Sequence, residues 1–186
     1  MKKYTLLFLI SAALLSCNPK QDDAAKKEAS GPKVNIDDRL KELNIQLTTP
    51  KPPTANFVKT VRVGNLVYTS GHGPDRAEGG PLTGRLGADL TLEQGQEAAR
   101  LTGISLLSSL KAEIGDLGKV KRVVKVLGMV QSTPEFTDQP KVMNAFSDMM
   151  VAVFGDKGKH ARSAVGMAAL PGNIAIEIEM IVEVED

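Results

Sequence analysis

Two strand-like apolar runs near the end of the chain carry charged side chains, and they limit how the chain can fold. Residues 161–171 read A-R-S-A-V-G-M-A-A-L-P, and residues 174–184 read I-A-I-E-I-E-M-I-V-E-V. In the second run Glu177 and Glu179 alternate with apolar residues, which predicts a strand with one buried face and one acidic face. The apolar positions of that strand are Ile174, Ile176, Ile178, Met180 and Val182.

Arg162 is the charged residue at the start of the first run. Arginine is rarely buried without a partner, so an arginine in a strand of small residues indicates a guanidinium that lines a cleft and receives an anion. A strand-end arginine in water, or one in an internal ion pair, would give the same local pattern. The residues alone leave these alternatives open.

Two separated motifs resemble the signatures of one protein family. The stretch R-S-A-V-G-M-A-A-L-P-x(5)-E-I-E, which begins at Arg162, resembles the C-terminal signature of the RidA (YjgF, L-PSP) family. Residues 63–74, V-G-N-L-V-Y-T-S-G-H-G-P, resemble its N-terminal signature G-N-x-x-x-x-S-G-x-x-P. The resemblance extends from about Pro50 to Asp186. It implies a chorismate-mutase-like fold that assembles as a homotrimer, with active clefts between subunits.

The hydrophobic periodicity predicts an α+β domain. Period-2 patterns predict strands over residues 57–63, 66–70, 120–130, 162–170 and 174–184, with a further short strand near residues 83–86. Helical spacing predicts helices over residues 37–46, 91–115 and 142–153. This order predicts a mixed β-sheet with two helices packed on one face. The other face is left without a cover, and we expect a partner subunit to supply it.

The resemblance implies a reaction for this fold. In the family, the residue that matches Arg162 binds the carboxylate of a small 2-imino acid. The residue that matches Glu177 holds and polarises the water that attacks the C=N carbon. The products are a 2-keto acid and ammonia, and no cofactor is implied. On its local pattern alone, Glu177 would equally be a solvated residue on the outer face of the strand.

The resemblance also implies five substrate-binding positions, which are Ser70, Gly71, Asn144, Ala164 and Phe57. Ser70 and Gly71 match a tight turn, and the backbone N–H groups around Ala164 can meet a carboxylate. Asn144 lies off the apolar stripe of its helix, where solvent exposure alone would also explain it. The chain departs from the family at two of these positions: Phe57 stands where imine deaminases carry tyrosine, and Ala164 where many carry cysteine. Loss of the phenol hydroxyl predicts slow activity, a changed substrate or none.

The first 35 residues predict export. Lys2 and Lys3 precede an apolar run over residues 6–15, and Leu14-Leu15-Ser16-Cys17 resembles a bacterial lipoprotein box. We therefore expect a signal peptide over residues 1–16, a lipidated Cys17 with a flexible tether over residues 17–35, and a domain over residues 36–186. This places the protein at the bacterial cell envelope, held on the membrane by its lipid. A cleaved secretory signal or an uncleaved anchor are the alternatives.

Charge and motif content argue against other functions. The formal net charge is +1 and no basic cluster is present, so binding to nucleic acid is not expected. The two histidines, His72 and His160, lack the spacing of a metal-binding motif, so no metal is expected. The leading hypothesis is a deaminase of small 2-imino or enamino acids. A non-catalytic module that binds small carboxylates or mediates contacts at the envelope is the alternative. An endoribonuclease, an activity attributed to some relatives, is the least supported.

Overall fold

A five-stranded mixed sheet carries the long helices of this protein on one face. The computed structural model describes residues 35–76 and 78–186. The predicted signal peptide, Cys17 and the tether up to residue 34 lie outside these residues. The strands lie in the order β1-β2-β5-β3-β4, with β3 and β4 parallel and the other neighbours antiparallel. They are β1 (Thr60–Val63), β2 (Leu66–Thr69), β3 (Val120–Gln131), β4 (Ala161–Met167) and β5 (Ile176–Val184).

In the described part of the chain three α-helices accompany the sheet, and they are α1 (Ile36–Glu42), α2 (Leu92–Ile114) and α3 (Gln139–Phe154). Helix α2 begins at a capping box, in which the Thr91 N–H donates to Gln94 Oε1 and the Gln94 N–H donates to Thr91 Oγ1, at 2.9 and 3.3 Å. Within the described residues, none of the helices has the length and apolar character needed to cross a bilayer. The predicted α+β class with a mixed sheet is confirmed.

Helix α1 is shorter than the spacing of its leucines predicts. It ends at Glu42 rather than near residue 46, because Asn44 adopts a left-handed conformation with φ of 52°. The Asn44 N–H then donates to the Lys41 carbonyl and the Ile45 N–H to the Leu40 carbonyl, at 3.0 and 2.8 Å. These two bonds and the burial of both Leu40 and Ile45 form a Schellman motif, which stops the helix.

Strand β1 also begins later than predicted, at Thr60 instead of residue 57. The pairing of β1 with β2 stops because the chain after β2 turns at Ser70 and joins β5 through His72. The His72 N–H donates to the Ile178 carbonyl and the Ile178 N–H to the His72 carbonyl, at 2.9 and 3.0 Å. Phe57 therefore precedes the strand and is 50% exposed. Strand β5 likewise begins at Ile176, the first of its residues that pairs with β3, where its partner is Val130. Ile174 forms only an isolated bridge with Thr83.

The two faces of the sheet differ in what covers them. The face toward α2 and α3 is buried, and its side chains include Val126, Val130, Ile176, Ile178 and Met180. The opposite face, called the open face here, is half-buried or exposed within one chain although many of its side chains are apolar. It includes Val61, Tyr68, Leu127, Met129, Val165 and Ile181. An apolar face of this kind indicates an interaction surface.

Gln131, at the end of β3, joins two loops in the interior. Its side chain is 1% exposed and makes three hydrogen bonds. Nε2 donates to the Gly84 carbonyl and to Asn173 Oδ1, at 3.1 and 2.6 Å, and Oε1 accepts the Leu170 N–H at 2.7 Å. A buried polar group with all of its bonds made is neutral or favourable to stability, whereas an orphaned partner is costly.

We expect Gln131→Leu to lower the free energy of unfolding by about 2 kcal/mol or more, because it leaves the buried Leu170 N–H and the Gly84 carbonyl without partners. Urea unfolding followed by circular dichroism measures this change. Gln46→Leu is the matched control, since Gln46 is exposed and its replacement should change stability by less than about 0.5 kcal/mol. Equal midpoints for the two variants would show that the Gln131 network adds nothing.

Candidate functional site

Arg162 lies on the helix side of the sheet, next to α3. It pairs with Val126 on β3, and Val126 in turn pairs with Met180 on β5. Paired residues of neighbouring strands project to the same face, and Val126 and Met180 are buried under the helices. Since β4 is the edge strand, the half-buried Arg162 reaches out from this face along α3.

The guanidinium of Arg162 is held by neutral acceptors of α3. Nη1 donates to Ser147 Oγ at 2.9 Å, and both Nη1 and Nη2 donate to Asn144 Oδ1 at 3.2 Å. Nη2 also donates to the Pro140 carbonyl at 3.3 Å. Among the residues that the structure describes, Arg162 takes part in no ion pair. Its charge is therefore oriented but not neutralised, which suits it to bind a carboxylate.

Asn144 and Ala164, two positions that the resemblance implies for substrate binding, lie beside Arg162. Asn144 is exposed and provides an oxygen that two N–H groups of the guanidinium share. Ala164 is two residues along β4 from Arg162 and pairs with Gly128, so it projects to the same side of the sheet. A side chain on Gly128 would collide with Met143 of α3, which confirms that this side faces the helix.

Ser147 and His160 complete this group, and the sequence alone gave Ser147 no role with Arg162. Ser147 Oγ lies 3.1 Å from His160 Nε2, and His160 Nδ1 lies 2.7 Å from the Gly158 carbonyl. The signal that could have indicated Ser147 is its spacing, since it lies one helical turn after Asn144 and off the buried stripe of α3.

A second group of site residues lies on the open face. Glu177 on β5 pairs with Met129, which pairs with Val165 on β4. The segment Ser70–Gly71 runs beside β5, and a Cβ atom on Gly71 would overlap the carboxylate of Glu177. Only glycine at position 71 permits this close approach. The structure thus brings Ser70, Gly71 and Glu177 together.

Burial raises the pKa of Glu177 above its ordinary value of 4.5, and the nearby carboxylate of Glu179 raises it further. A carboxyl group with a raised pKa keeps its proton up to a pH that is nearer to neutral than it is for an ordinary glutamate. Such a group is suited to accept a proton from water and to return it.

The two groups lie on opposite faces of the sheet. Arg162 with Asn144 and Ala164 faces α3, whereas Glu177 with Ser70 and Gly71 lies on the open face, so the backbone of the sheet separates them within one chain. Phe57, ahead of β1 and half exposed, lies outside both groups. No cluster of three or more potential metal ligands occurs in the described part of the chain.

The described residues thus form an α+β domain whose mixed sheet carries, at its edge, an arginine that takes part in no ion pair among them. Residues 38–184 match the family model described as "YjgF/chorismate mutase-like, putative endoribonuclease". The chain belongs to this YjgF/RidA family.

Curated relatives and solved structures agree with this assignment. The chain is 43% identical to Protein TCP17 of Trypanosoma cruzi, with 79% of this chain and 92% of TCP17 covered. It is 31% identical to 2-iminobutanoate/2-iminopropanoate deaminase of Escherichia coli, over 73% and 94% of the two chains. The crystal structure of Atu1372 from Agrobacterium tumefaciens, a protein of unknown function, is similar with a TM-score of 0.76 and 42% identity, over 82% of this chain and 96% of Atu1372.

We expect Glu177→Gln to stabilise the protein at neutral pH. Since folding raises the pKa of Glu177, this residue favours the folded state only when protonated. That contribution is present below pH 4.5 and is lost as pH rises through the folded-state pKa. The urea midpoint of Glu177→Gln should therefore exceed that of the unmodified protein at pH 7, and the difference should shrink toward pH 4.

Glu183→Gln is the matched control on the same strand face. Glu183 accepts a hydrogen bond from Asn65 and pairs with Lys121, so its replacement should not stabilise the protein. A stabilisation by Glu177→Gln that is unchanged from pH 7 to pH 4 would contradict the assigned pKa shift.

Proposed function

We propose that this protein hydrolyses small 2-imino or enamino acids to 2-keto acids and ammonia. The observation that carries the proposal is the guanidinium of Arg162, which is half-buried, held by three neutral acceptors and not neutralised. A small carboxylate is the ligand that this arrangement fits, because a planar fork binds a carboxylate through two N–H groups. The relationship to an imine deaminase at 31% identity supports the reaction.

The proposed reaction uses one water and one proton carrier. Arg162 binds the substrate carboxylate and so fixes the position of the adjacent C=N carbon. Glu177 accepts a proton from water while the water oxygen forms a bond to that carbon and the C=N pair of electrons moves to nitrogen. The same proton then passes to nitrogen and gives a carbinolamine. Glu177 next takes the proton of the new hydroxyl group and delivers it to nitrogen as the C–N bond breaks, so ammonia leaves and the C=O bond forms. The balance is one imine and one water to one ketone and one ammonia.

A site that uses both residues is most simply shared between two copies of the chain. Within one chain Arg162 faces α3 and Glu177 lies on the open face, on the two sides of one sheet. Packing of the open face of one copy against the β4 edge of the next would bring the two groups together and cover the exposed apolar residues. We therefore propose a homotrimer with one cleft at each of three equivalent interfaces.

We expect the open face to hold the trimer together. Leu127→Glu places a third carboxylate beside Glu179 in the middle of this face and should dissociate the protein into folded monomers without deaminase activity. Sedimentation velocity measures the mass. Leu127→Met, which keeps the apolar volume, should remain trimeric. A monomeric unmodified protein with full activity would refute the shared site.

We expect the full-length protein to accelerate ammonia release from 2-iminobutanoate and 2-iminopropanoate, generated in situ by an amino-acid oxidase. Arg162→Ala should abolish substrate binding, and Glu177→Gln should lower kcat by about 10²-fold or more with a smaller change in KM. A semicarbazide trap that competes for the imine measures the rate.

Arg62→Ala is the control for loss of a positive charge. Arg62 lies on β1, where its guanidinium donates to the Gly64 and Glu185 carbonyls, at 2.9 and 3.0 Å, and its replacement should leave the rate unchanged. No acceleration with either imine would refute the deaminase proposal. A loss of activity in Arg62→Ala equal to that in Arg162→Ala would show that the effect is one of net charge.

A non-catalytic carboxylate-binding module is the second candidate, and Phe57 favours it. The side chain at this position has no hydroxyl group to donate a hydrogen bond in the cleft, so the water would have one fewer partner. Calorimetric binding of 2-oxobutanoate that depends on Arg162, without any turnover of imines, would select this function over the enzyme.

We also propose that the domain is held at a bacterial cell envelope by a lipid on Cys17. The support is the sequence Leu14-Leu15-Ser16-Cys17 behind a basic and apolar start. Mass spectrometry of the mature N-terminus should find a diacylglyceryl group on Cys17, and Cys17→Ala should abolish it. A mature chain that begins elsewhere without lipid would refute the anchor.

A further inference from the structure

We propose that His160 is a positioning residue for Arg162, which it acts on through Ser147. The neutral imidazole accepts the Ser147 hydroxyl hydrogen, and this turns the Ser147 oxygen toward the guanidinium that binds the carboxylate. The inference rests on the proposed function, in which Arg162 binds the carboxylate of a ligand. The hydrogen bonds from His160 through Ser147 to Arg162, and the mobility of Arg162, can be measured without any ligand.

For a neutral imidazole, the donors and acceptors of this chain of bonds can be assigned in only one way. The Gly158 carbonyl, 2.7 Å from His160 Nδ1, can only accept, so Nδ1 carries the hydrogen and Nε2 of the neutral ring is an acceptor. Arg162 Nη1, 2.9 Å from Ser147 Oγ, can only donate. The Ser147 hydroxyl therefore accepts from Arg162 and donates to His160 Nε2, at 3.1 Å.

Other hydroxyl groups on the helices show what Ser147 would do without His160. Thr102 and Ser108 on α2 donate to the carbonyls four residues earlier, those of Ala98 and Ile104, at 2.8 and 2.7 Å. This is the ordinary local bond of a serine or threonine within a helix. Ser147 instead donates to His160. An acceptor outside the helix thus holds the Ser147 hydroxyl away from its local partner.

The surroundings of His160 keep its ring neutral and fixed. Burial lowers its pKa from 6.5; the bond to the Gly158 carbonyl opposes this, and the charge of Arg162 adds to the lowering. The ring stands edge-on to Phe146, with centroids 6.0 Å apart and an interplanar angle of 71°. Other charged residues on the surrounding elements are Lys141 and Asp148 on α3, Lys121, Arg122 and Lys125 on β3, and Asp156, Lys157 and Lys159 on the turn before β4.

Most of these charges have partners of their own. Lys159 pairs with Asp156 at 2.7 Å, and Lys141 pairs with Asp138 at 3.0 Å. Lys125 donates to Ser163 Oγ on the open face, and Lys157 donates to the Val120 carbonyl. Arg162 is the charged side chain that acts on His160 electrostatically. The bond between Ser147 and the imidazole therefore persists at neutral pH.

The test combines binding with a rescue variant of the full-length protein. His160→Leu removes the acceptor and should raise the Kd for 2-oxobutanoate by about 2- to 10-fold, the range of one net hydrogen bond. His160→Gln places an amide oxygen where Nε2 lies and should restore affinity. Ser147→Ala should weaken binding at least as much as His160→Leu, because it also removes the bond to Arg162. The double variant should be no weaker than Ser147→Ala, because His160 acts only through Ser147.

Ser108→Ala on α2 is the matched control and should leave the Kd unchanged, since Ser108 bonds the Ile104 carbonyl and the Thr48 N–H, neither of which belongs to the Arg162 group. Additive losses in the double variant, or no rescue by His160→Gln, would overturn the proposal. Either result would mean that His160 acts on stability or on the ligand independently of Ser147.

A second readout does not depend on ligand binding. Nitrogen-15 NMR of the imidazole should show a neutral His160 with hydrogen on Nδ1 at pH 7, and relaxation of the Arg162 Nε–H should show an ordered side chain that becomes more mobile in His160→Leu. If the unmodified protein binds no keto acid but these signals appear, the proposed function fails and the positioning of Arg162 stands. An Nε2-protonated or charged ring would overturn the positioning role.

Discussion

The structure of the site depends on one positive charge that the protein orients without neutralising. Arg162 lies against α3 and is bound by an amide oxygen, a hydroxyl and a backbone carbonyl, all of them uncharged. Neutral acceptors fix the direction of the guanidinium and leave its Coulomb attraction for a ligand. An ion pair with a carboxylate of the same chain would hold the side chain equally well, but a substrate carboxylate would then have to displace it. Because the acceptors come from α3 and the arginine from β4, the packing of this helix on the sheet edge determines the geometry of the site.

The second constraint is the uncovered face of the sheet. It carries apolar side chains that water solvates poorly. It also carries Glu177, and both burial and the carboxylate of Glu179 raise the pKa of this residue. Both features cost stability in a single chain, and natural proteins tolerate such costs at functional sites. A partner on this face would bury the apolar residues and bring a carboxyl group to the arginine of its neighbour. In the proposed homotrimer, the same surface would therefore serve both assembly and the reaction.

The sequence predicted the elements well where local signals are strong. The capping box at Thr91 and Gln94 marks the start of α2, and the alternation in β5 identifies its buried face. Errors occurred at the ends of elements: α1 ends at Glu42 because the turn at Asn44 buries both Leu40 and Ile45, and β1 starts at Thr60 because the chain after β2 turns at Ser70 and joins β5 through His72. Arg162, Asn144, Ala164 and Glu177 could be selected by their resemblance to family positions. Ser147 and Gln131 could not, since their roles depend on partners from other elements.

The sequence by itself determined the class of fold, the order of strands and helices along the chain, the family and the candidate residues for carboxylate binding, because these follow from periodicity and from motifs that are local in the chain. Only the tertiary structure decided that Arg162 and Glu177 lie on opposite faces of one sheet. That arrangement follows from the pairing of β3 with both β4 and β5. The position of a side chain relative to a distant strand depends on register, and register is set by the packing of the whole core rather than by neighbouring residues.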